Sequence, residues 1–312
     1  MKLLNLKYPL IQGAMANITN GEFAAKMSNL GVLGSIASAA MDAEELEKEI
    51  LIAKSITEQP FSVNLMLMNP HCKEMVNVIV KHNVKVVTTG AGNPIPYMEK
   101  LAQNNITIIP VVPSVTLAKR VENAGAHAVI IEGTEAGGHI GELTTMAIVP
   151  QVVDAVDIPV IAAGGIASGR QVLAAFALGA SAVQVGTAFL VSNECPIHQN
   201  YKEALLKSKD TDTTVTGRIT GVPVRIIKNQ MARTYVTLEK QGKTMQELEH
   251  YTLGSLKKAV YDGDVINGSV MAGQVSAMLK EIRPAKDIIE DLFSNASITI
   301  ENLTTNWDSW RK

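Results

Sequence analysis

The chain has 312 residues, 46% of them hydrophobic and 19% charged, and carries a formal net charge of -2. That length allows one large domain or a barrel with a smaller appendage, and the near-neutral balance excludes the global basic field that favours nucleic acid. Cys72 and Cys195 are too far apart for metal-ligand spacing and offer no disulfide framework, so no metal is expected and small molecules are the expected partners.

Lys2 and Lys7 lead directly into Tyr8-Pro9-Leu10-Ile11-Gln12-Gly13, which is not the apolar core of a secretion signal. No run approaches the ~18 consecutive apolar residues of a membrane span. A soluble, cytoplasmic protein with no membrane partner is therefore expected. Short apolar runs then recur at 9–12, 32–36, 61–65, 84–88, 106–112, 128–131, 159–162 and 182–185. The segments between them carry helical signals. Asp42 is placed to cap a helix over 42–56, whose Leu46, Ile50, Ala53 and Ile56 follow at helical spacing. Ser168 opens another that ends near Leu178, with Gly179 as its stop. Eight evenly spaced strand and helix units predict an α/β fold, a (β/α)8 TIM barrel, because parallel strands need crossover helices and eight close into a packed core. An open doubly wound sheet fits less well, since no break separates two halves.

After Cys195 the rhythm stops, which predicts a barrel over 1–195 and a smaller helical cap over 196–312, with a boundary between 195 and 210. Residues 210–217 read as a threonine-rich polar connection. Across 213–238 the chain carries Arg218, Arg225, Lys228 and Arg233 and no acidic residue. This is either a surface for an anionic partner or a solvated basic face. Gly268 to Gln274 open a small-residue segment, and 268–280 is expected to return to the barrel mouth.

In a barrel, the loops after the strands converge on one face, where chemistry resides. The loop after the sixth run, Glu132-Gly133-Thr134-Glu135-Ala136-Gly137-Gly138-His139-Ile140-Gly141, is the first candidate. Gly137 and Gly138 allow close backbone approach to a flat ligand, and His139 titrates near neutrality. Gly164 and Gly165 follow the seventh run, and Gly186 and Thr187 follow the eighth. Their backbone N–H groups suit a phosphate, which barrels frequently hold between these two loops. The competing reading is that these glycines only permit tight turns.

Several of these segments carry a resemblance: Gln12-Gly13-Ala14-Met15, Val63-Asn64-Leu65-Met66, Thr88-Thr89-Gly90-Ala91-Gly92-Asn93-Pro94, Glu135-Ala136-Gly137-Gly138-His139-Ile140-Gly141, Ile161-Ala162-Ala163-Gly164-Gly165-Ile166 and Gln184-Val185-Gly186-Thr187. Together they resemble the flavin-dependent enoyl-acyl carrier protein reductase II family, a relative of the nitronate monooxygenases, over nearly the whole sequence. In the C-terminal third, Val224-Arg225 and Gly268-Ser269-Val270-Met271-Ala272-Gly273-Gln274 resemble the reductase. Two departures stand out: Ala14 takes the place of a second glycine, and 35–40 is richer in alanine than the family pattern.

The resemblance implies FMN, with its phosphate on Gly164, Gly165, Gly186 and Thr187. It places the flavin ring near Ala14, Met15, Asn64, Glu132, Gly137 and Gly138, with Met271 on the returning segment. The implied reaction reduces a trans-2-enoyl thioester on acyl carrier protein with NADH or NADPH in two half-reactions, as the last step of fatty-acid elongation. His139 is then the candidate for proton supply or cofactor contact. The resemblance further implies a homodimer and leaves open a monovalent cation. A nitronate monooxygenase, with a histidine base on the same barrel and flavin, is the alternative. A barrel that binds FMN or another phosphate ligand without turnover is weaker.

Overall fold

The computed structural model describes residues 4–310. In chain order the barrel half comprises β1 (Leu10–Gln12), α1 (Gly21–Asn29), β2 (Gly34–Ala37), α2 (Ala43–Ile56), β3 (Phe61–Met66), α3 (Cys72–Lys81), β4 (Val86–Gly90), α4 (Ile95–Gln103), β5 (Thr107–Val112), α5 (Val115–Asn123), β6 (Val129–Glu132), β7 (Gly138–His139), α6 (Thr145–Val153), β8 (Val160–Ala163), α7 (Gly169–Ala177) and β9 (Ala182–Val185). There follow α8 (Gln199–Leu206), β10 (Thr213–Thr216), β11 (Val224–Ile227), α9 (Gln230–Lys240), α10 (Met245–Thr252), α11 (Ser255–Tyr261) and α12 (Ala285–Trp310).

Eight parallel strands lie side by side in the order β1-β9-β8-β6-β5-β4-β3-β2. A bridge between Ile11 and Leu33 joins the two ends, where Gln12 N–H donates to the Leu33 carbonyl at 2.9 Å and Leu33 N–H to that of Leu10 at 3.0 Å. The result is the (β/α)8 barrel. Its strands are buried on both faces, so they read as continuous apolar runs. Alternation divides them: Ile11, Leu33, Val86, Ile109, Ile130 and Ile161 belong to one buried cluster, whereas neighbours such as Leu10, Val87, Val129 and Ile131 pack with the helices in a larger one.

Local signals hold with two adjustments. Asp42 caps α2 through a reciprocal pair with Glu45, accepting from Glu45 N–H at 2.8 Å and receiving its carboxylate at 3.0 Å. Leu46, Ile50 and Ala53 are buried, but Ile56 in the last turn is 39% exposed. Ser168 holds the N-cap position of α7 without a capping bond, since its hydroxyl donates to Gln171 Oε1 at 3.1 Å.

The C-terminal third departs further from the sequence reading. The threonine-rich stretch is a strand and not a connection: β10 pairs antiparallel with β11, which pairs antiparallel with β7 in the glycine loop. The partition at residue 195 also changes, because α12 lies within 196–312 yet packs against the barrel helix α7, and its Phe293 ring sits 5.0 Å from that of Tyr8 beside β1. The last helix thus joins the outer layer of the barrel, and the residues between β9 and α12 form an excursion over the mouth. Among the described residues, no helix is long and apolar enough to cross a membrane.

Candidate active site

The loops after the strands and the returning segment enclose a cavity of about 240 Å3 at the barrel mouth. The loop after β1 contributes Ala14 and Met15, β3 contributes Asn64, and β6 contributes Glu132. Gly137, Gly138 and His139 form the next wall, Gly164 and Gly165 follow β8, and Gly186 and Thr187 follow β9. Met271 closes the ring from the excursion. His139 and the residues assigned to the flavin from the sequence therefore meet at one cavity, whereas Arg218, Arg225, Lys228 and Arg233 do not line it.

The glycine loop is held from three sides. Its Gly138 and His139 pair with Arg225 and Val224 of β11, and Ile140 N–H donates to the Pro223 carbonyl at 3.1 Å. Below it, Glu135 accepts from Thr145 N–H at 3.0 and 3.1 Å and from the Thr145 hydroxyl at 3.0 Å, capping α6. From the excursion, Gln274 N–H donates to the Glu135 carbonyl and Gly273 N–H to Thr187 Oγ1, both at 2.9 Å. A Cβ on Gly137 would stand 2.6 Å from the Ala272 carbonyl carbon, so only glycine permits this approach. Met271 is fixed in turn, its carbonyl accepting from the buried Tyr201 hydroxyl at 2.7 Å.

Sequence reasoning placed Arg225 in a basic surface patch. The structure buries it to 6% exposure. Its guanidinium donates through Nε (3.1 Å) and Nη2 (2.9 Å) to the Thr134 carbonyl and through Nη1 (3.1 Å) to Thr213 Oγ1. It is a clamp on the glycine loop. Arg218 pairs with Glu142 at 2.9 Å, and Lys228 donates to the Thr211 carbonyl at 2.6 Å. Glu135, Tyr201 and Arg225 were missed as supports of the site, because only their tertiary partners reveal the role.

Three polar groups face the cavity with capacity to spare. Asn64 Nδ2 donates to Thr88 Oγ1 at 2.9 Å, which orients the amide and leaves its oxygen without a partner among the described residues. The Glu132 carboxyl has no hydrogen-bonding partner among the described residues, and burial raises its pKa to about 8. The shift favours its protonated form near neutral pH. His139 keeps an edge open to solvent, while the surrounding protein desolvates the ring and lowers its pKa, favouring the neutral imidazole.

The nitronate monooxygenase family model matches residues 1–76 and 71–295. The chain belongs to that family. It is a family of flavoproteins. The solved structure of FabK from Thermotoga maritima superposes with a TM-score of 0.95 at 44% identity, covering 98% of this chain and 97% of that one. A probable nitronate monooxygenase from Staphylococcus saprophyticus is 38% identical, over 95% of this chain and 96% of the relative. A Rhodococcus jostii protein named as a hydroxy-methyl-oxo-octahydro-indene-carboxyl-CoA dehydrogenase is 29% identical, over 97% of this chain and 96% of its own.

The cavity fits the phosphate of a flavin mononucleotide. Among the described residues, the backbone N–H groups of Gly164, Gly165, Gly186 and Thr187 have no protein acceptor. Gly164 and Gly165 adopt positive φ, +92° and +74°. Such a cluster of free amides stabilises an anion without a lysine.

Proposed function

We propose that this protein reduces a trans-2-enoyl thioester on acyl carrier protein to the saturated thioester, using FMN and NADH or NADPH. The observation that carries the reading is the match to FabK, the enoyl-acyl carrier protein reductase II of the resemblance, across both the barrel and the C-terminal excursion at 44% identity. The coenzyme A thioester in the name of the Rhodococcus relative points to the same substrate class.

FMN, when bound, supplies the hydride relay between the nicotinamide and the β-carbon of the enoyl group. The free amides after β8 and β9 hold its phosphate, and Asn64 offers hydrogen bonds at the cavity wall. As hydride reaches the β-carbon, negative charge grows on the thioester oxygen and calls for donors already in place. His139 in its neutral form presents an N–H at the mouth for this purpose. Glu132, its pKa raised by burial, favours the protonated form, which adds a donor without adding a repelling charge. The glycine loop, clamped by Arg225 and the excursion, keeps His139 in position at the mouth.

The neutral state of His139 also supports a second reading, oxidation of an alkyl nitronate, in which the imidazole accepts a proton from a carbon acid. The name of the Staphylococcus relative agrees with it. Anaerobic stopped-flow separates the two. Reduction of the holoenzyme by NAD(P)H followed by rapid reoxidation with crotonyl thioester is the expected outcome. Failure of enoyl thioesters to reoxidise the flavin, together with oxygen-dependent turnover of an alkyl nitronate, would give the site to the second reading.

A further inference from the structure

Outside the cavity, the turn after β2 and the loop after β3 are stitched together into a fixed frame. Asn69 Nδ2 donates to the carbonyls of Met41 at 2.8 Å, Ser38 at 3.3 Å and Ala39 at 3.4 Å, and its Oδ1 accepts from His71 N–H at 2.8 Å. The Ser38 hydroxyl donates to the Asn64 carbonyl at 2.8 Å, and the Cys72 thiol to that of Met66 at 3.1 Å. These bonds hold the two turns against each other. What the frame presents is an open groove of about 410 Å3 whose apolar wall is Ala39, Ala40, Met41, Met66, Met68 and Pro70, with Asp42, Asn69 and His71 at its rim.

Two features tie this groove to the reaction site. Ala39 and Met66 line both the groove and the cavity, so the two spaces share a wall at the mouth. Met68 is 62% exposed, a large apolar side chain with most of its surface left in water. Of the polar residues at the rim, Asp42 is committed to its capping pair with Glu45 and Asn69 to the frame, while His71 leaves an exposed imidazole at one edge. Small alanines leave space and flexible thioethers adapt to a chain of variable length. The alanine enrichment over 35–40, a departure from the family pattern, supplies part of that space.

We propose that this groove holds the alkyl tail of the acyl thioester, with the thioester end in the cavity and the chain running outward past Ala39 and Met66. The proposal rests on the enoyl thioester reading above.

The test is calorimetric titration of holoenzyme with butyryl- and decanoyl-coenzyme A, each below its micelle concentration, in the wild type and in Met68→Glu and Ala40→Trp. Each methylene fully withdrawn from water is worth about fourfold in affinity. Decanoyl thioester should thus bind the wild type at least about tenfold more tightly than butyryl, even in a half-open groove. Both variants, one placing a charge in the wall and one filling the space, should erase most of that preference while leaving butyryl affinity within about twofold. Equal affinity for the two chains in the wild type, or variants that leave the preference intact, would overturn the proposal. Reoxidation of the reduced holoenzyme by crotonyl-coenzyme A tests the underlying reading separately. Reoxidation without a chain-length preference removes the groove alone, and a preference abolished by both variants without reoxidation removes the reaction alone.

Discussion

Gly165 and Gly186 stand on either side of the proposed phosphate cradle, but a side chain would affect them differently. Gly165 sits at φ +74°, strained for any other residue, whereas Gly186 has φ -112° and a Cβ there would meet only the Met15 side chain, at an ordinary 3.7 Å. Gly186→Val is therefore expected to lower FMN content on purification while the flavin-free protein melts as the wild type does; full retention of FMN by this variant would refute the cradle. Removing the imidazole with His139→Ala should keep FMN bound and slow one half-reaction in stopped-flow. Slow reduction by NAD(P)H would assign His139 to the nicotinamide, slow reoxidation would assign it to the enoyl thioester, and unchanged rates in both would remove it from the mechanism. Glu132 makes a prediction about pH. Burial raises its pKa in the fold to about 8 from the ordinary 4.5, so between those values the folded state binds a proton that the unfolded state lacks. Its contribution is fully present below pH 4.5 and is lost as pH rises toward 8, by at most ~1.4 kcal/mol per unit. Urea unfolding of the flavin-free protein at pH 5.5 and 7.5 should show a loss in the wild type that Glu132→Gln reduces, and identical pH dependence in the two would place the carboxyl in contact with water.

The three-stranded sheet of β10, β11 and β7 makes the excursion a structural part of the site. Arg225→Met would leave the Thr134 carbonyl without two of its donors, at a cost of about 1–3 kcal/mol. Hydrogen exchange should then accelerate over 133–141 while the barrel strands stay protected, and Arg225→Lys should not restore protection, because a single ammonium cannot reproduce the fork. Uniform protection in Arg225→Met would mean that the β11 ladder and the excursion hold the loop without it. The same elements show which parts of the molecule were readable in advance. Barrel strands announce themselves because burial on both faces demands unbroken apolar runs, and α2 does so through Asp42, Leu46, Ile50 and Ala53. The cavity residues followed, since strand order dictates which loops converge. By contrast, Thr213–Thr216 is polar and half-buried, and its chain of partners ends at Gly138 and His139, a strand of two residues inside a glycine turn. No periodicity survives at that length. Charge counting likewise registered Arg225 as a surface cation, because burial against a carbonyl from a distant loop leaves no mark on the local sequence.

At the scale of the whole molecule, the excursion is tied to the barrel at its base. Asn193 N–H donates to the Arg283 carbonyl at 3.0 Å, Arg283 N–H returns a bond to that of Val191 at 3.2 Å, and Ala285 N–H donates to Glu194 Oε2 at 2.8 Å, which is where α12 begins. The helix then crosses α7 so closely that a Cβ on Gly169 would lie 2.3 Å from Ala296 N. The contact between α7 and α12 thus helps to hold both the outer layer of the barrel and the base of the excursion that carries Met271. Gly169→Val would force α12 outward, an overpacking cost of about 1–3 kcal/mol. Because the same helix anchors the base of the excursion, the flavin site should not outlast the barrel. In the holoenzyme, thermal release of flavin fluorescence and loss of far-ultraviolet circular dichroism are expected to coincide, and Gly169→Val should lower both midpoints together by a few degrees. Flavin release that moves while the circular dichroism midpoint stays fixed would instead show the excursion opening alone, with α12 a bystander to the site it appends.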